Sequence, residues 1–194
     1  MPEIKAIWSA SVLAGYPFGQ YIQVLMLTAQ RRTEVAAMQW DDVDLDGAVW
    51  TIPASETKSD RKQLVPLSAT VVGILKSVPQ FGAFVFTSDG KTHVSSYAKG
   101  KARLDTFIRA AGAKLEPWRL HDLRRTAATH MVRLGVSESV VGRVLNHAPK
   151  GVTAKVYALH TYMPEKRHAL DAWAAEVARI VSGEGRDNVV SIRG

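Results

Sequence analysis

The sequence predicts an α+β fold, mainly helical, with a small three-stranded antiparallel sheet. Three observations carry that expectation. Apolar residues recur at helical spacing over 120–134, over 140–145 and again over 170–180. Two short strand-like runs, 49–52 and 63–67, flank a polar stretch in the manner of a β-hairpin. A further apolar run, 83–86, precedes the turn signal Asp89-Gly90 and is the candidate for the third strand.

In chain order, Gly15, Pro17 and Gly19 interrupt the first stretch, and a helix follows through Tyr21, Val24, Leu25 and Leu27. Pro53 and Pro66 set the ends of the hairpin at an edge or a bulge, because proline cannot donate to a ladder. Asp42, Asp44 and Asp46 before Gly47 have the opening spacing of a calcium loop, but its twelfth position is Pro53 rather than a bidentate glutamate, so the run reads as a polar helix-to-strand turn. Ser68 is placed to cap a helix through Val71, Val72 and Leu75. Ser95 or Ser96 starts another, with Leu104, Phe107, Ile108 and Ala111 inward, Gly112 at its end, and Lys99, Lys101 and Arg103 on the other face.

Leu120, Leu123, Ala127, Met131 and Leu134 form the next stripe, with Gly135 where a left-handed C-cap is wanted. Ser137 then caps a short helix carrying Val140, Val141, Val144 and Leu145. Pro164 suits the first turn of a final helix whose stripe is Leu170, Trp173, Val177 and Ile180. From Ser182 the chain turns glycine-rich and polar and reads as a disordered tail, so the folded domain is expected over 1–181 and the tail over 182–194.

Lys and Arg total 25 against 18 acidic residues, a net charge of +7, and the pI near 9.8 fits an anionic partner. The absence of cysteine removes disulfides, thiolate metal sites and thiol nucleophiles. No apolar run reaches membrane-span length and the first residues are not a secretory signal, so the expected location is the cytoplasm.

The polar residues of the 119–162 stretch point to chemistry. His121 and Arg124, three apart, leave one helix face together; His147 follows the next helix and Tyr157 comes ten residues later. Two histidines, an arginine and a tyrosine converging on one place suit a phosphate with a nucleophile aimed at it.

H-x-x-R at His121 and Arg124, then L-N-H at His147, then V-Y at Tyr157, resembles the C-terminal signature of the tyrosine recombinases, or phage-type integrases. Asn146 stands where that family commonly has glycine. The family's T-G-x-R-x-x-E-L segment, which holds its first active-site arginine and a bracing acid, is matched by Arg31 and Glu34, with Ala29 for the glycine and Val35 for the leucine. Arg32 is the neighbouring candidate, disfavoured by the spacing to Glu34. Its lysine-bearing hairpin is matched by Thr57-Lys58, with Lys62 as the fallback. Taken singly, an arginine near a glutamate or a lysine in a polar turn is most often only solvated surface. The ordered set is more specific.

The resemblance implies a catalytic domain that cuts and rejoins duplex DNA through a 3′-phosphotyrosine, with no cofactor, metal ion or ATP. Arg31 and Arg124 would donate to the nonbridging oxygens, His121 would take the Tyr157 proton, His147 would hydrogen-bond the phosphate and Lys58 would protonate the leaving 5′ oxygen. Lys99, Lys101 and Arg103 are candidates to line the duplex. The family's N-terminal DNA-embracing domain has no counterpart before Arg31, so either a catalytic fragment or a naturally minimal protein is expected, the fragment being favoured. Other protomers are expected partners in a synaptic complex, with the final helix docking on a neighbour or on its own domain. Two alternatives stand beside this reading: a type IB topoisomerase, and a regulator using residues 119–146 as a DNA-binding helix-turn-helix.

Overall fold

A computed structural model describes residues 2–57, 61–147 and 161–184. Its helices are α1 (Pro2–Ala14), α2 (Phe18–Thr28), α3 (Arg32–Ala36), α4 (Ala69–Ser77), α5 (Tyr97–Ala110), α6 (Leu120–Arg133), α7 (Glu138–Val144) and α8 (Met163–Ser182). The strands are β1 (Val43–Asp44), β2 (Val49–Ile52) and β3 (Gln63–Pro66), antiparallel in the order β1-β2-β3. The α+β class and the three-stranded sheet are therefore as expected.

The hairpin follows its period-2 pattern: Trp50 and Ile52 are buried, and Val49 and Thr51 are half-buried between them. Trp50 pairs with Val43 on one side and Val65 on the other. Pro66 ends the edge strand β3, where its missing donor costs no ladder bond.

The third strand is a correction. Residues 83–86 make only an isolated bridge, Gln39 to Phe84, with Val85 N donating to Met38 O at 2.9 Å. That run is apolar because Val85 and Phe86 are core residues. The sheet position goes to β1, two residues inside the acidic run, too short for alternation to reveal. The same run makes a polar turn, but between the paired strands β1 and β2 rather than from helix to strand: Asp44 Oδ1 accepts from Asp46 N at 3.1 Å and Gly47 N at 2.8 Å.

Helix α1 is an element that periodicity does not announce. Its buried face is built of Ile4, Ile7, Ala10, Ser11 and Ala14, while Val12 and Leu13 stay exposed and blur the stripe. It packs closely on α2, since a Cβ on Gly19 would lie 2.1 Å from Ser11 O. On α5 the expected inward set is Leu104, Ile108 and in part Phe107, but Ala111 is exposed just beyond the last turn.

Helices α6 and α7 form as expected, with Gly135 at φ 88° and Ser137 Oγ accepting from Val140 N. Seven residues long, α7 spends Val141 and Val144 on the core, which does not favour its reading as a DNA-recognition helix. Helix α8 settles into its own domain against α1, α2, α6, α7 and β3. Leu170, Trp173, Val177 and Ile180 are all buried there, and Trp173 Nε1 donates to Met26 O at 2.8 Å. Of the two docking sites left open for this stripe, the structure has the chain's own core. No helix among the described residues is long and apolar enough to cross a membrane.

Candidate active site

The turn between α2 and α3 builds one wall of the site. Helix α2 ends at Ala29, whose backbone is left-handed at φ 56°, and Arg31 then takes an extended conformation at the N-cap of α3. Glu34, buried in the first turn of α3, grips Arg31 twice. Its Oε2 accepts from Arg31 N at 2.8 Å and its Oε1 from Arg31 Nη1 at 2.7 Å. One carboxylate thus fixes both the turn and the guanidinium, a short charge-assisted arrangement.

The first turns of α6 build the facing wall. Asp122 Oδ2 accepts from Arg119 N at 2.8 Å, and His121 follows the cap on the exposed side. Arg124 is only 5% exposed. Its Nη1 donates to Ala29 O at 2.7 Å and its Nη2 to Leu145 O, so it ties the α2–α3 turn to the end of α7. Guanidinium has five N–H donors, and among the described residues these bonds leave three for a ligand. Burial, and secondarily the Arg31 charge, bring its pKa down to about 10 against the opposing pull of Glu34; the group stays cationic at neutral pH.

Arg31, Arg32, Arg119, His121, Arg124 and Arg125 line one cleft of about 500 Å³. Asp122 is the one carboxylate on that lining among the described residues and lies 3.6 Å from Arg125. Arg32 rests 5.1 Å from the centroid of the Tyr97 ring. A cleft so rich in planar forked donors suits a phosphodiester.

His147 lies in a neighbouring cleft of about 300 Å³, with Lys62, Arg143, Tyr162 and Lys166. Its N–H donates to Gly142 O at 2.9 Å, folding the chain back over α7 after Asn146, which is left-handed at φ 50°. The Arg143 guanidinium sits 4.6 Å from the Tyr162 ring centroid. Lys166 donates to Leu64 O, and burial together with Arg143 lowers its pKa to about 8.

The structure thus brings Arg31, Glu34, His121 and Arg124 together and puts His147 in the adjoining cleft. Lys58 and Tyr157 lie outside the described residues; Lys62, the fallback for Lys58, lines the second cleft, as does Tyr162. Lys99, Lys101 and Arg103 are on α5 and line neither cleft. Lys101 pairs with Asp105 at 2.6 Å and covers the Trp118 ring at 4.5 Å, and Arg103 covers Phe107 at 5.5 Å. Arg119 and Arg125 were passed over in sequence, although flanking the H-x-x-R helix turn with basic residues was the available signal.

Residues 3–163 match the sequence profile of the phage integrase family. The chain belongs to that family. Among its curated relatives, prophage integrase IntZ of Escherichia coli (strain K12) is 29% identical over 191 residues, covering 94% of this chain and 45% of the relative. The integrase of Salmonella phage P22 is 31% identical over 136 residues, covering 64% of this chain and 35% of its own. The chain spans less than half the length of these relatives.

The integrase fold is also that of solved structures. The integrase from mycobacterium phage Brujita superposes with a TM-score of 0.64 at 17% identity, over 88% of this chain and 57% of that one. The XerA recombinase gives a TM-score of 0.61 at 21% identity, over 86% and 60%. A lambda integrase (75–356) dimer bound to a COC′ core site gives 0.60 at 19% identity, over 76% and 56%. At these identities the likeness is one of fold.

Proposed function

We propose that this chain is the catalytic part of a site-specific DNA recombinase, which cuts and rejoins duplex strands through a 3′-phosphotyrosyl intermediate. One observation carries the reading: in a member of the integrase family, Arg31, His121 and Arg124 line a single cationic cleft, with Arg31 braced by Glu34 and Arg124 tethered by two carbonyls.

The reaction balances within these groups. Tyr157 Oη attacks phosphorus as its proton passes to His121, and the bond from phosphorus to the 5′ oxygen breaks as Lys58 protonates that oxygen. Arg31 and Arg124 stabilise the added charge on the nonbridging oxygens, where fixed donors contribute about 3 kcal/mol apiece. His147 donates a further hydrogen bond to the phosphate. The phosphotyrosine conserves the bond energy, so a 5′-hydroxyl from the second strand reverses the step without ATP. Cleavage occurs in the cytoplasm on duplex DNA, with further protomers in the synaptic complex, as lambda integrase is seen to form a dimer on its core site.

The test is incubation with nicked duplexes carrying candidate sites, followed by denaturing electrophoresis. The reading expects a denaturant-resistant protein–DNA band that Tyr157→Phe abolishes while DNA affinity is kept. A band unchanged in Tyr157→Phe would contradict it.

A further inference from the structure

Two buried glutamines join the segments that carry the proposed active-site groups. Gln30 and Gln63 are 0% and 5% exposed. Gln63 Nε2 donates to Gln30 Oε1 at 3.2 Å and to Val144 O at 2.9 Å. Gln30 Nε2 donates to Thr28 O at 2.8 Å and to the same Val144 O at 3.0 Å. One carbonyl at the last residue of α7, where helical carbonyls lack intrahelical partners, therefore receives both amides.

Each anchor adjoins a group in the clefts. Gln30 precedes Arg31, Gln63 follows Lys62 at the base of the hairpin, and Val144 stands three residues before His147. Arg124 makes a parallel tie one residue away on each side, to Ala29 O and Leu145 O. Lys166 holds the next hairpin carbonyl, Leu64 O. The first cleft includes Gln30 and the second includes Gln63, so the pair forms the partition between them.

The pair is also costly. Gln63 Oε1 is buried without a hydrogen-bond partner among the described residues. An apolar pair of similar volume would avoid that cost, so stability alone does not account for two amides here. What amides add is directional register between three chain segments. We infer that Gln30 and Gln63 are positioning residues for the strand-transfer step: they fix the hairpin base against the Arg31 turn and the His147 segment. This rests on the reading under Proposed function.

The experiment measures single-turnover cleavage at saturating nicked duplex, with an ordinary or a sulfur-substituted 5′ bridging atom; sulfur leaves without needing a proton. Gln63→Met removes one orphaned oxygen and leaves another, Gln30 Oε1, without its donor, while Val144 O stays bonded by Gln30. With one unpaired buried acceptor exchanged for another, its Tm stays within about 3 °C of wild type. Its DNA Kd is unchanged, and its cleavage of ordinary DNA falls at least about tenfold through misplacement of the hairpin's proposed acid. On the sulfur substrate it returns to within about threefold of wild type. Gln30→Met is slow on both substrates, because the Arg31 contact to phosphate does not depend on the leaving group. Should Gln63→Met not fold, Gln63→Asn, too short to reach both acceptors, serves the same measurement. Folded variants with wild-type rates, or a Gln63→Met deficit equal on both substrates, would overturn the inference alone. A wild-type chain that forms no adduct on either DNA would overturn the functional reading and this inference with it.

Discussion

Ala29 and Asn146 share a left-handed backbone, φ 56° and 50°, and they bracket the seat of Arg124, which bonds Ala29 O and Leu145 O. Both stand where integrases commonly carry glycine, and the geometry gives the reason: each peptide must reverse within one residue to aim a carbonyl at the guanidinium. Asparagine tolerates this region; alanine bears a strain of about 1 kcal/mol.

Asn146→Gly should therefore keep wild-type stability to within about 1 kcal/mol, whereas the β-branched Asn146→Val should lose about 2 kcal/mol and most cleavage activity. Ala29→Gly should be nearly neutral, since relief of strain is offset by about 1 kcal/mol from the lost buried methyl and the freer unfolded chain. Urea denaturation reads all three. An unimpaired Asn146→Val would remove the backbone argument.

Glu34→Gln tests the brace on Arg31. The amide keeps one acceptor but turns an N–H toward a donor, so stability should fall by about 1–3 kcal/mol. Cleavage should slow at least about tenfold because Arg31 loses its alignment, with little change in DNA Kd. A variant with wild-type rate and stability would show that Arg31 is oriented by something else.

Much of this site was legible because its parts are local. His121 and Arg124 sit three apart, so helical spacing put that pair on one face; Arg31 and Glu34 were singled out by the resemblance to the integrase motif, and the fold holds them as an N-cap and its bracing acid. Helices α4 to α8 could be read from caps and stripes such as Ser68, Gly135 and Leu170 to Ile180. What stayed hidden depends on distant segments. The Gln30–Gln63 contact spans 33 residues and has no local pattern, and β1 is too short to alternate. Lys101 and Arg103 look free in sequence, yet Asp105, Trp118 and Phe107 engage them in the fold.

Lys166 gives stability a predictable pH dependence. Its folded pKa is about 8 against an ordinary 10.5, owing first to burial and then to Arg143. Below pH 8 the amine is charged in both folded and unfolded chains, and the burial cost is fully present. Between about pH 8 and 10.5 the folded protein gives up the proton while the unfolded chain keeps it, so deprotonation favours the folded state and stability gains with rising pH. Lys166→Met should lack this gain, and its Tm relative to wild type should fall between about pH 7 and pH 10. A Tm difference independent of pH would contradict the burial account.

Trp173 tests docking of α8 within the chain. It is fully buried, bonds Met26 O and lies 5.3 Å from the His130 ring. Trp173→Ala should cost about 3–5 kcal/mol, and Trp173→Phe less. The loss should appear in the monomer at every protein concentration. A dimer dissociated by Trp173→Ala with monomer stability unchanged would put the helix on a neighbour instead.

The central claim is that Tyr157 becomes covalently joined to DNA whose phosphate is held by Arg31 and Arg124. Peptide mass spectrometry of the adduct formed on a nicked duplex tests it most directly. The account predicts a nucleotide attached through phosphate to Tyr157. Attachment at Tyr162, in the second cleft beneath Arg143, or at a serine or threonine, would contradict it.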